Sequence, residues 1–146
     1  MREDVFKFPA LEQLIYGKPA ALALSAEVDR IGAKRVFLVV SGTMNRTTDE
    51  VQKLQDALGS RYAGKYDGIP PFNPRSAVLK AAEAARSAGT DLVVTFGGGS
   101  VTEAGKIVRL ALQHDITDVD GFDKFRAITK PDGTRVMPQF EGPRIP

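Results

Sequence analysis

The chain has 146 residues, 42% hydrophobic and 26% charged, with 20 basic and 18 acidic side chains and a formal net charge of +2. That is one domain's length with one substantial core, and the composition of an ordinary globular protein. Dispersed Lys and Arg argue against nucleic acid, zero cysteines exclude disulfides and thiolate sites, and no apolar run reaches the roughly 20 residues of a membrane span.

The first residues, MREDVFKFPALEQ, carry charges where a signal peptide would place its apolar core, so a cytoplasmic protein is expected. LIYG at 14–17 reads as a first short strand. From Pro19 to Ile31, Leu22, Leu24, Val28 and Ile31 recur at mostly helical spacing, with Gly32 as a stop signal. RVFLVV at 35–40 is a short β-branched run, read as a buried strand. A polar loop, GTMNR, follows Ser41. Thr47 with Glu50 then forms a capping-box pattern ahead of the stripe Val51, Leu54 and Leu58, and Gly59 closes that helix. RYAGKYDG at 61–68 is a weaker strand candidate, ended by Ile69-Pro70-Pro71.

FNPRSAVLKAAEAARSAG is the clearest helix, with Asn73 as N-cap, Pro74 in the first helical position and Gly89 at the C-terminal cap. Asp91 to Phe96 (DLVVTF) is a continuous apolar strand. Three glycines follow it, then a helix from about Val101 to Gln113 that turns Val101, Ala104, Ile107, Val108 and Ala111 inward. Apolar strands alternating with helices predict an α/β fold, an open, mostly parallel Rossmann-like sheet with helices on both faces. Beyond residue 115 the periodicity fades. A short helix is expected near Gly121 to Phe125, then loops or a small hairpin around 127–137 with the turn Pro131-Asp132-Gly133. Arg144-Ile145-Pro146 reads as the start of a further strand, which would leave the sheet incomplete at the C-terminus.

The stretch TFGGGSVTEAGK carries the chemistry. Glycines between a parallel strand and a helix present backbone N–H groups at a helix N-terminus, where the macrodipole favours anions and missing side chains admit a phosphate. A tight turn alone explains one glycine well and three poorly. Gly97 and Gly99 satisfy the first two positions of GxGxxG, but Thr102 holds the third, and no Lys-Ser/Thr pair makes a Walker loop. Ser100 stands where an N-cap belongs. Glu103, three residues on, reads first as its capping-box partner and second as a ligand contact; Lys106 either attracts a phosphate or pairs with Glu103.

A strand followed by GGGSxxExxK, behind a long helix opening with Asn-Pro, resembles the iron-containing alcohol dehydrogenase family, which includes the maleylacetate reductases. The family hallmark is GGGSxxDxxK; here GGGSVTEAGK runs from Gly97 to Lys106, with Glu in place of Asp. The preceding AAEAARSAGTDLVVTF also follows the family's pattern, and the resemblance extends from about Leu14 to Pro146. It implies an N-terminal domain that binds NAD or NADP. The triplet Gly97–Gly99 with Ser100 would hold the diphosphate through Gly98, Gly99 and Ser100. Asn73 would contact the cofactor, and Glu103 would lie near the nicotinamide ribose. NAD-specific members usually place an Asp where this chain has Gly42, flanked by Ser41 and Thr43. Without that carboxylate, and with Arg46 nearby, NADP is expected to be tolerated or preferred; a plain glycine turn is the competing explanation.

The family's divalent metal is held by one Asp and usually three His on a C-terminal helical domain. This chain has a single histidine, His114, and no HxxxH spacing, so iron or zinc is expected only with such a further half. The resemblance therefore implies the NAD(P)-binding part of an oxidoreductase that interconverts a small alcohol and its carbonyl. The alternative is a stand-alone, non-catalytic dinucleotide-binding module, whose open strand edge would have to be covered by self-association into a homo-oligomer.

Overall fold

A computed structural model describes residues 12–136. Its centre is strand β1 (Val36–Val40), in which every residue is buried. A strand buried on both faces cannot alternate apolar with polar, and VFLVV does not. β1 pairs in parallel with β2 (Tyr62–Tyr66) on one side and β3 (Leu92–Phe96) on the other, giving the order β2-β1-β3.

Successive β1 side chains point to opposite faces, and each face has its own core. Val36, Leu38 and Val40 join Val28 of helix α1 (Ala20–Ile31) and Val51, Leu54 and Leu58 of helix α3 (Glu50–Leu58). Phe37 and Val39 join Val78, Ala81, Ala82 and Ala85 of helix α4 (Arg75–Ser87) and Val101, Ala104, Val108 and Ala111 of helix α5 (Gly99–Gln113). The predicted parallel sheet with helices on both faces is what the described residues form. The facing alanines of α4 and α5 let those two helices pack closely against one another.

Register is set by local devices. The Asp91 carboxylate accepts from the backbone N–H of Lys34 at 2.8 Å and of Arg35 at 2.9 Å, tying the start of β1 to the start of β3. The β1–β2 pairing slips by a residue after Val36, and Gly64 sits opposite Phe37 with φ +153. A Cβ there would lie 3.1 Å from the Phe37 ring, so the glycine makes room for that core side chain.

Several boundaries differ from the expectations. LIYG forms no strand: Leu14 and Tyr16 are 76% and 86% exposed, and no neighbouring strand pairs with them. GTMNR is helical rather than a loop. It forms α2 (Gly42–Thr47), capped by Ser41, whose Oγ accepts from Met44 N–H at 3.4 Å. Thr47 therefore belongs to α2, where its hydroxyl donates to the Thr43 carbonyl at 2.9 Å; the Thr47–Glu50 capping box does not form, and Asp49 takes the N-cap position of α3. Pro74, rather than Asn73, stands at the N-cap of α4, because Asn73 lies in the left-handed region at φ +46. Gly89 does terminate that helix, at φ +61, with its N–H to the Arg86 carbonyl at 2.9 Å.

After α5, a 3₁₀ segment at Asp120–Phe125 and a hairpin of β4 (Ile128–Thr129) with β5 (Arg135–Val136) match the short helix and small hairpin expected there. The strand expected at 144–146 lies outside the described residues. Among the described residues, no helix is long and apolar enough to cross a membrane.

Candidate functional site

The carboxyl ends of the three strands meet at one cleft of about 480 Å³. Its lining comes from Ser41, Gly42, Thr43 and Arg46 after β1, from Asp67 to Pro71 after β2, and from Gly98 to Val101 after β3. Ligands of open α/β sheets bind in this position, outside the strand ends. A hydrogen bond from Ser41 N–H to the Phe96 carbonyl, 2.8 Å, joins the loops that follow β1 and β3.

The three glycines have different duties. Gly97 has φ +155, and a Cβ there would stand 3.0 Å from both Ser41 Cβ and Val101 Cγ2. Fold packing alone requires it to be glycine. At Gly98 and Gly99, by contrast, a Cβ would meet nothing within 4 Å. Neither has a left-handed φ. The interior of the protein places no demand on these two positions, and both line the cleft.

Helix α5 begins at Gly99, with Gly98 at its N-cap, two residues earlier than the apolar pattern predicts. The Gly98 carbonyl accepts from Val101 and Thr102 N–H at 3.0 and 3.1 Å. The N–H groups of Gly99 and Ser100, in the first turn, have no intrahelical acceptor and lie beside the cleft. Ser100 is thus inside the helix rather than its cap. Its expected capping box with Glu103 does not form; Glu103 accepts an ion pair from Lys106 at 2.8 Å instead.

Of the residues singled out in the sequence, the fold gathers Ser41, Gly42, Thr43, Gly98, Gly99 and Ser100 at the cleft. Gly97 lies beneath it as a packing residue, and Glu103 lies a turn further along α5, outside the lining. Asn73 sits just past the lining segment, with its Oδ1 buried and without a hydrogen-bond partner. Gly42 has a structural reason to be glycine: a Cβ would lie 2.7 Å from the Asp67 carbonyl and 3.0 Å from the Arg46 guanidinium.

Asp67 is the residue that pattern reading passed over. It follows an irregular strand, and only the parallel pairing of β2 with β1 brings it beside Gly42. Its carboxylate accepts from Asn45 Nδ2 at 2.7 Å, and Asn45 Oδ1 in turn accepts from Lys65 at 2.9 Å. Arg46 forms no ion pair among the described residues. The cleft thus offers an N–H-rich helix start, one tethered carboxylate and one unpaired guanidinium.

A metal finds no such site. Among the described residues no three His, Asp or Glu side chains converge, and His114 packs against Phe125 with ring centroids 4.7 Å apart. The described residues do not offer a ligand set for the family's metal.

A crevice at the strand ends of a parallel sheet, floored by a glycine-opened helix, belongs to the open α/β class of protein. The sequence pattern of the family described as iron-containing alcohol dehydrogenase matches residues 12–139, and the chain belongs to that family. Maleylacetate reductase 2 of Cupriavidus pinatubonensis is 35% identical over 102 residues, covering 70% of this chain and 27% of the relative. Dehydrogenase FUM7 of Gibberella moniliformis is 29% identical over 117 residues, covering 80% of this chain and 27% of its own. A putative alcohol dehydrogenase from Ralstonia eutropha JMP134, solved at 2.10 Å, superposes with a TM-score of 0.63 at 32% identity, covering 74% of this chain and 30% of that one. This chain therefore spans little more than a quarter of the length of its curated relatives.

Proposed function

We propose that the cleft holds a nicotinamide dinucleotide, with the diphosphate on the N–H groups of Gly99 and Ser100, and that the protein serves an oxidoreductase interconverting a small alcohol and its carbonyl. One observation carries the reading. Gly98 and Gly99 are bare where the fold would admit a side chain, so what their bareness accommodates comes from outside the chain. Family membership and the reductases and dehydrogenases among the relatives support the reaction class.

Bound there, the cofactor would supply hydride chemistry; the residues of this chain bind and orient it. The helix start places partial positive charge against the diphosphate. Arg46, across the cleft mouth, offers a partner for a 2′-phosphate, which favours acceptance of NADP. Asp67 is turned to the Asn45 amide, which leaves its charge partly engaged. A cytoplasmic setting, where such cofactors are available, belongs to the same reading.

Gly98→Val tests the cradle. The structure leaves open space around the added Cβ, so the melting temperature is expected to change by only a few degrees. Titration with NADH and NADPH is expected to show binding lost or weakened at least about tenfold, because the isopropyl group occupies the anion's approach. Unchanged affinity for both would sink the cradle.

A further inference from the structure

Among the residues lining the cleft, Asp67 is the one acidic side chain and Arg46 the one basic side chain. Val39 pairs with Tyr66, so Asp67, the next residue, leaves the sheet beside the end of β1, where Arg46 arrives from α2. Gly42 at that point has no side chain to offer, and a Cβ there would meet both the Asp67 main chain and the Arg46 guanidinium. The two opposite charges do not pair with one another. Asp67 Oδ2 accepts from Asn45 Nδ2 at 2.7 Å, and Asn45 Oδ1 accepts from Lys65 Nζ at 2.9 Å. This relay fixes the direction of the carboxylate and leaves Asp67 Oδ1 with no hydrogen bond among the described residues.

We propose that Asp67 is a specificity-determining residue of the cleft, whose carboxylate accepts a hydrogen bond from the adenosine ribose 2′-hydroxyl of the bound dinucleotide and opposes a 2′-phosphate. The proposal rests on the dinucleotide reading above and adds the residue that sets the cofactor ratio. In the order β2-β1-β3, Asp67 follows the strand on one side of β1, and the Gly99 and Ser100 N–H groups follow the strand on the other. Two strand spacings, about 10 Å, separate them. A diphosphate with one ribose bridges that span with a hydrogen bond at either end, so an anion seated on α5 carries its ribose towards Asp67. A carboxylate only accepts; the sugar hydroxyl supplies a proton, whereas a phosphate supplies none and adds like charge. Arg46, which also closes on Gly42, offsets that repulsion. The cleft thus takes both cofactors, and the two side chains together set their ratio. An Asp67 that served only to hold Asn45 would affect both cofactors alike.

The test uses the whole 146-residue chain, titrated with NADH and with NADPH. Asp67→Asn keeps the size of the side chain and an oxygen for the Asn45 amide, so the melting temperature is expected to stay within a few degrees. The variant is expected to bind NADH about tenfold more weakly, the scale of one charge-assisted hydrogen bond, and NADPH severalfold more tightly, because the repulsion is gone. An unchanged ratio of the two affinities, whether both stay or both fall, overturns the proposal. A second pair of probes isolates the hydroxyl. The unchanged protein is expected to bind ADP about tenfold more tightly than 2′-deoxy-ADP, and Asp67→Asn to bind the two within about twofold of each other. Equal binding of the two by the unchanged protein, or undiminished discrimination by the variant, also overturns it. Failure of the unchanged chain to bind either dinucleotide removes the dinucleotide reading and this proposal together; normal binding with an unchanged ratio in Asp67→Asn removes this proposal alone.

Discussion

Arg46 and Gly42 form a single unit at the end of β1. The missing side chain of Gly42 lets the guanidinium lie across the strand end and lets the Asp67 carbonyl approach. A carboxylate introduced at position 42 would therefore move backbone as well as charge, and its effect on cofactor choice would be confounded. Arg46 is the cleaner probe, being exposed and free of ion pairs among the described residues. Arg46→Ala is expected to weaken NADPH about tenfold while leaving NADH within about twofold, the scale of one charge-assisted phosphate contact in partly open surroundings. Parallel fluorescence titrations read the ratio, and equal changes for both cofactors would remove Arg46 from the specificity argument.

At the scale of elements, the junction of α5 with β3 decides where the helix start sits. Gly105 is buried within α5, and a Cβ there would stand 2.1 Å from Thr95 Cγ2. The helix backbone lies directly on the strand, which carries Gly98 and Gly99 to the cleft floor. Helix propensity alone favours alanine over glycine by about 1 kcal/mol. Overpacking opposes it by about 1–3 kcal/mol, and at 2.1 Å the steric term wins. Gly105→Ala is expected to lose about 1–2 kcal/mol in urea unfolding; a gain in stability would show that α5 can lift off β3 at little cost.

For the whole molecule, β1 is shared by both cores, so loss of either face exposes the other. Tyr62 opens β2 and packs against the α1–α3 core, and its burial raises the phenol's pKa above the ordinary value of 10.0. The phenolate is then more easily formed in the unfolded chain than in the folded one. Stability from this group is intact below pH 10 and is lost as pH climbs through the folded phenol's higher value. Tyr62→Phe is expected to flatten the alkaline decline between pH 9 and 11 relative to the parent. Identical slopes in urea unfolding at matched pH would show that Tyr62 does not contribute.

The amino-acid sequence by itself determined the alternation of α1, β1, α3, α4, β3 and α5, because buried strands and amphipathic helices imprint their periods directly on apolar residues. It also pointed to the glycine triplet and, through the motif around it, to the family. Capping was less legible. Thr47, Asn73 and Ser100 each suit an N-cap by type, yet Thr47 was absorbed into α2, Asn73 was turned left-handed by its proline-flanked loop, and Ser100 fell inside α5. Cap position depends on where the neighbouring elements pack, which no local pattern records. Only the tertiary structure divided the glycines into one the fold requires and two it leaves bare, since that depends on atoms from Ser41 and Val101. It alone brought Asp67 and Arg46 to the same crevice as the glycines, because parallel pairing joins strand ends that lie far apart along the chain.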